Sequence, residues 1–209
     1  MLRKVLIGVA AVVLILLVVI ATRSSTFRVE RTTRIAAPPD VVFGLVNDFH
    51  AWDRWSPWAH LDPTMKTTYG GTPAGTGATY AWSGGDKVGA GDMRIVESRP
   101  PQSVAIRLEF LKPMASVNRT EFTFKPDGSG TRVDWVMSGP LDFVGKGMDL
   151  FVGMDRMIGP DFEKGLAAMR REAEADAKKR AEAATASATP PATGATSPTE
   201  TTPAPAPVK

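Results

Sequence analysis

Hydrophobic positions along this chain follow three regimes: an unbroken apolar run, a long stretch that alternates with period two, and a helical stripe that fades into a patternless tail. The run is Val5 to Ala21, composed of Val, Leu, Ile, Ala and one Gly. At about 1.5 Å per residue it spans most of a ~30 Å hydrocarbon layer, at the short end of the range for a membrane-crossing helix. It has no polar face, which argues against a buried core helix. A secretory leader has a shorter apolar region of about 7–15 residues before a small-x-small cleavage site. Val19-Ile20-Ala21 offers such a site, so a cleaved leader is the alternative. Arg3, Lys4 and the free amino terminus precede the run and Arg23 and Arg28 follow it. That balance predicts a cytoplasmic N-terminus, a single span and a soluble domain on the extracytoplasmic side.

Alternation begins at Thr26. Phe27, Val29 and Arg31 fall on one side of a first strand and Arg28, Glu30 and Thr32 on the other. Pro38-Pro39-Asp40 then opens a helix, since proline suits the first turn and an acid suits the positive end of the helix dipole. Val41, Val42, Leu45, Val46 and Phe49 form its apolar stripe, and Trp52–Trp58 reads as a second short helix ended by Ser56-Pro57. Strands are predicted at Lys66–Tyr69, Ala78–Trp82, Asp92–Ser98, Ser103–Leu111, Ser116–Lys125 and Thr131–Ser138. The Pro-Asp-Gly-Ser-Gly turn at 126–130 is the firmest hairpin signal.

Gly139-Pro140 ends the sheet. Val144, Met148, Phe151, Val152, Ile158, Phe162, Leu166 and Met169 then recur at helical spacing, which predicts a long helix bent at Gly159-Pro160. Arg170 to Glu182 loses the stripe and is expected to project into solvent. Beyond it the chain is almost entirely Ala, Thr, Pro, Ser and Gly, which predicts disorder. The division is therefore an anchor at 1–25, one domain at 26–178 and a tail at 179–209.

Composition adds mainly exclusions. The net charge is +3 with 25 basic residues; without Arg3 and Lys4, 23 basic face 22 acidic residues, which is no nucleic-acid surface. With no cysteine, disulfides, thiolate metal sites and cysteine nucleophiles are excluded.

Several residues together point to a family. Ile35-x-x-Pro38-x-x-Val41-x-x-x-Leu45, Trp52-x-x-Trp55-Ser56-Pro57-Trp58, Tyr80-x-Trp82, Met93-x-Ile95-x-Glu97-Ser98 and the Met157–Leu166 helix resemble the START-related superfamily (SRPBCC, Bet v 1-like), in its polyketide cyclase/dehydrase and lipid-transport branch. The resemblance covers about residues 26–175. It implies an α+β helix-grip fold, a curved antiparallel sheet of about seven strands wrapped on a long C-terminal helix with two short helices after strand 1. It also implies an apolar ligand cavity.

On the alternation, Tyr80 and Trp82, Met93 and Ile95, Ile106, Leu108 and Phe110, and Trp135 and Met137 share the concave side. With Trp55, Trp58, Met148, Phe151 and Ile158 they are the candidate cavity lining, a methionine- and aromatic-rich surface suited to an apolar molecule. The same residues filling a solid core is the plain alternative. Glu97 follows Met93 and Ile95 with period two and Asp155 adjoins the helical stripe. A carboxyl in such a cavity would be a general acid or base, with Tyr80 a third candidate. The plain alternative is that each lies at the edge of its element, solvated or paired with an arginine such as Arg94, Arg107 or Arg156. Asn118 and Thr120 are expected on an exposed strand face, with hydrogen bonding to a ligand as the alternative.

His50 and His60 near Asp48, Asp53 and Asp62 match no metal-ligand spacing, and no metal or other cofactor is expected. Ser56 has no Gly-x-Ser-x-Gly setting, and the glycines from 84 to 91 lack a phosphate-loop ending. Binding of a hydrophobic small molecule or lipid by a membrane-tethered domain is the favoured expectation. A cyclase/dehydratase-type enzyme and an envelope interaction protein with a filled core are the alternatives.

Overall fold

The computed structural model describes residues 1–188. Helix α1 (Leu2–Thr22) leads into β1 (Thr26–Ile35), α2 (Pro39–Asn47) and a 3-10 stretch (Phe49–Arg54). A meander follows: β2 (Lys66–Gly70), β3 (Thr79–Ser83), β4 (Ala90–Arg99), β5 (Ser103–Lys112), β6 (Ser116–Asp127) and β7 (Gly130–Pro140). The chain then forms α3 (Phe143–Phe151) and α4 (Met154–Ala188). All seven strands make one antiparallel sheet in the order β1-β7-β6-β5-β4-β3-β2, so the first strand returns to pair with the last. Thr26 lies opposite Pro140 and Ile35 opposite Thr131.

Alternation sorts the sheet into a concave face, buried under α2 and α4, and a charged convex face. Val29, Val104, Ile106, Phe122, Phe124 and Val133 point inward and are at most 2% exposed. α2 starts with Pro39 in its first turn and buries Val41, Val42, Phe43, Leu45 and Val46. Its last carbonyls have no partner within the helix, as at any helix end. Here the Trp52 indole N–H donates to Val46 O (3.0 Å), the Trp55 indole to Leu45 O (2.8 Å) and the Gly75 amide to Asn47 O (2.9 Å). The tryptophans are thus buried caps. The helix expected over Trp52–Trp58 is replaced by the earlier 3-10 stretch, opened by Asp48 accepting from the His50 amide (2.8 Å).

The expected bend at Gly159-Pro160 is also displaced. Pro160 sits inside α4, and the chain changes direction at Gly153, whose φ of 85° favours glycine. Asp149 then accepts from the Met154 amide (3.0 Å) and caps α4. Nor does Arg170–Glu182 leave the domain. Ala173 is fully buried, Ala177 packs against the core, and Glu172 and Asp176 bind Arg54 (2.8 and 2.9 Å). The stripe persists there as small alanines, which bring α4 close to α2 and which a count of large apolar residues overlooks. α4 continues to Ala188, past the expected boundary at 178. The rest of the tail predicted as disordered, from 189 on, lies outside the described residues.

Candidate functional site

The concave face has a closed half and an open half. In the closed half, Trp135 of β7 stacks on Phe162 of α4 (centroids 3.8 Å, 9°) and on Phe122 of β6 (4.8 Å, 28°). Trp55 meets Trp135 edge-on at 5.7 Å. The Trp135 indole donates to Thr120 Oγ1 (2.9 Å), whose hydroxyl donates to Val136 O (3.0 Å). Thr120 and Asn118, expected on an exposed face, are buried at 3% and 6%. Trp55, Trp135, Ile95, Ile106 and Met137, all expected to line a cavity, are core here. Four large rings occupy the space between sheet and helix.

The open half runs over β2 to β5. Tyr69, Tyr80, Trp82 and Phe110 form a ladder with centroid steps of 5.3, 6.2 and 5.8 Å. Met93 pairs with Tyr80 and Leu108 with Met93 at its floor. Trp58, Met154 and Ile158 are partly buried against the core, and Trp58 meets Trp135 and Phe162 of the closed half edge-on (5.9 and 6.4 Å). Trp82 lies opposite Gly91, where any Cβ would run into the Trp82 ring and the Glu109 carbonyl. Its indole donates to Val88 O (3.0 Å), which fixes the ring. Burial, with smaller contributions from Tyr69 and Asp53, pushes the Tyr80 hydroxyl up to about 12. At its Tyr69 end the ladder reaches a depression of about 290 Å³ edged by Phe49, His50 and the 70–73 loop. A wider groove of about 890 Å³ lies beside β1 and β7, lined by Arg28, Arg107, Arg119, Val96 and Val117 among others. Its arginines are paired with Glu30, Glu109 and Glu121.

Two expected lining residues lie elsewhere. Met148 and Phe151 belong to α3, which buries none of its residues and leaves Phe151 64% exposed. Gly153 turns α3 away from the line of α4, so the shared helical spacing does not give a shared face.

Both candidate carboxylates also lie away from the ladder. β4 is irregular between Ile95 and Glu97, where Val96 is an extra residue. The bulge reverses the alternation. Ile95 points inward, Ser98 does so next by donating to Asn47 Oδ1 on α2 (2.7 Å), and Glu97 points outward to Arg99 and Arg119. Asp155 binds Arg31, bidentate at 2.7 and 3.0 Å, while Arg31 Nε donates to Glu163 (2.8 Å). The arginine holds the Asp155 carboxyl below its usual range, and both partners raise the Arg31 guanidinium. Both carboxylates are therefore paired with arginines, as the plain alternative has it, the partners being Arg99, Arg119 and Arg31 in place of Arg94, Arg107 or Arg156.

His50 binds Asp48 (2.8 Å) and stacks on Tyr69 (4.1 Å), while His60 lies 3.0 Å from the Asp53 carbonyl. Sequence reading missed Arg31 and Arg54, which clamp the start and the middle of α4. An arginine on the apolar side of β1 was the available signal for Arg31. It also missed Tyr69 as the end of the ladder, although its pairing with Tyr80 follows from alternation across the β2–β3 hairpin.

These features define a helix-grip protein of the START-related superfamily. The sequence profile described as "Polyketide cyclase / dehydrase and lipid transport" matches residues 26–174, and the chain belongs to that family. No curated protein sequence matches it. Among solved structures, an uncharacterized protein from Rhizobium leguminosarum is similar at TM-score 0.54 and 16% identity, over 71% of this chain and 95% of that one. The Aha1 dimer from Colwellia psychrerythraea is similar at TM-score 0.52 and 13% identity, over 71% and 96%. The di-domain ARO/CYC protein BexL of the BE-7585A biosynthetic pathway is similar at TM-score 0.50 and 14% identity, over 76% and 52%. At these identities the likeness concerns the fold.

Proposed function

We propose that this chain is a membrane-tethered binding protein, with its domain on the extracytoplasmic side. It holds a hydrophobic small molecule or lipid against the open half of the concave face. The observation that carries the reading is the ladder Tyr69–Tyr80–Trp82–Phe110, left half-exposed beside a core that elsewhere closes tightly. Covering apolar surface there gains about 25 cal/mol per Å². The Tyr80 hydroxyl, which burial pushes up to about 12 and so keeps protonated at neutral pH, offers one hydrogen bond to a polar end of the ligand. The family supports an apolar ligand.

Native mass spectrometry of the full chain purified in detergent tests this, together with tryptophan fluorescence titration against lipids. A co-purifying apolar molecule is expected, with saturable binding that Trp82→Ala and Phe110→Ala each weaken by roughly tenfold. No bound molecule and no saturable change would oppose the reading.

The Trp135–Phe162 stack favours a second reading, an envelope interaction protein with a filled core. It predicts that the ladder variants leave every lipid titration flat. A cyclase or dehydratase role ranks below both, because Glu97 and Asp155 are engaged in ion pairs away from the ladder.

A further inference from the structure

α3 is nine residues long and buries none of them, although Asp142 caps it by accepting from the Gly145 amide (2.7 Å). Phe143, Val144, Phe151 and Val152 stand 49%, 58%, 64% and 48% exposed. With 3.6 residues per turn, 143, 147 and 151 share one line along the helix and 144, 148 and 152 the next, so these side chains form a single apolar stripe. The helix is held against the end of α1. Lys146 Nζ donates to Ala21 O (3.2 Å), Asp149 lies 3.8 Å from Arg23, and Ile20, the one buried residue of α1, approaches Gly147.

The neighbouring hairpin adds to the same end of the domain. Ser138 pairs with Arg28 on one side and Arg119 on the other, so the start of β1, the end of β7 and the β5–β6 turn stand together. The end of β5 and that turn expose Leu111 and Met114 at 55% and 53%, and Lys112 lies between them.

We propose that α3 and the β5–β6 turn lie on the lipid bilayer that α1 crosses. This rests on the reading of α1 as an anchor; it does not depend on ligand binding. The occupant follows from continuity. The last turn of a membrane span is at the bilayer surface, and α3 is fixed to that turn by a hydrogen bond and an ion pair. A short amphipathic helix at that depth buries its stripe about 5–10 Å into the boundary between headgroups and chains. Lys112 then reaches the phosphate oxygens, as long cationic side chains do at a membrane surface. Trp82, Gly91 and Phe110 are cross-strand neighbours in the row of the concave face next to this turn, so the mouth of the cleft opens beside the membrane.

The chain has no cysteine, which makes single-site labelling direct. Full-length Val144→Cys, Phe151→Cys, Met114→Cys, Leu14→Cys and Gln102→Cys variants, carrying a polarity-sensitive fluorophore, are reconstituted into phosphatidylcholine–phosphatidylglycerol vesicles. Some vesicles contain lipids spin-labelled at a shallow position. Gln102 lies in the β4–β5 turn at the opposite end of the sheet and serves as the aqueous reference. Labels at 144, 151 and 114 are expected to emit at shorter wavelength than at 102 and to be quenched by the shallow spin label. The Leu14 label should report the bilayer interior. A buried Leu14 label with 144 and 151 as polar as 102 overturns the docking face and leaves the anchor standing. A polar Leu14 label overturns the anchor and the docking face together.

Discussion

The Trp135 indole and the Phe162 ring lie face to face, 3.8 Å between centroids and 9° from parallel. This contact joins the N-terminal part of α4 to the middle of β7, the neighbour of edge strand β1, and both residues are at most 2% exposed. Removing one ring leaves a void its neighbours only partly fill, so Phe162→Ala should cost about 3–5 kcal/mol. Phe162→Leu, which keeps most of the volume, should cost clearly less. Urea unfolding of both variants checks this. Equal costs would mean that α4 relaxes onto the sheet and the stack is not a fixed element.

Arg31 passes directly over Gly159, where an added Cβ would run into its guanidinium. Gly→Ala inside a helix normally stabilises by about 0.5–1 kcal/mol. Gly159→Ala should lose that gain, because Arg31 must leave Asp155 or Glu163 to make room. In an Arg31→Ala background the same substitution should stabilise. A double-mutant cycle in chemical denaturation measures the difference, and additive effects would show that Arg31 yields freely.

Both clamps on α4 carry a pH signature. The Arg31 guanidinium depresses the Asp155 carboxyl and the Arg54 guanidinium depresses the Asp176 carboxyl. A carboxyl with a lower value folded than unfolded contributes fully above the unfolded value of about 3.9. That contribution is lost as pH falls through the folded value. Acidification below about pH 4 should therefore loosen α4, and the joint Arg31→Gln, Arg54→Gln variant should show a flatter acid limb. Unfolding midpoints from neutral pH downward test this. Superimposable acid limbs would remove both clamps from the account of stability.

Much of this was legible in the sequence, for reasons specific to particular residues. Alternation placed Ile106, Leu108 and Phe110 together, and Trp135 and Met137 together, because β5 and β7 run without a bulge on those stretches. It failed at Glu97, where one extra residue in β4 reverses every later side chain and no residue type announces the fault. It could not separate lining from filling, since Trp135 and Trp82 share a face and differ only in whether α4 reaches them. Met148 and Phe151 carried the right spacing on a helix that Gly153 turns aside. Ala173 and Ala177 extended the packed face of α4 with side chains too small to register as a stripe.

Tyr80 offers a direct reading of how dry the open half is. Burial raises its hydroxyl to about 12. A group raised on folding contributes its full stability below the unfolded value of about 10, and that contribution fades as pH climbs toward the folded value. The chain has two tyrosines, so Tyr69→Phe leaves Tyr80 alone to report. In that variant, which keeps the burial and loses only the smaller contribution of Tyr69, ultraviolet absorbance should still show Tyr80 ionising well above the ordinary value of about 10, with a simultaneous circular dichroism record confirming that the fold persists. An apolar ligand seated on the ladder should delay ionisation further by excluding the remaining water. Tyrosinate appearing near the ordinary value of about 10 in a folded domain would mean that water already bathes the hydroxyl. The ladder would then be an exposed surface and not the wall of a binding cleft.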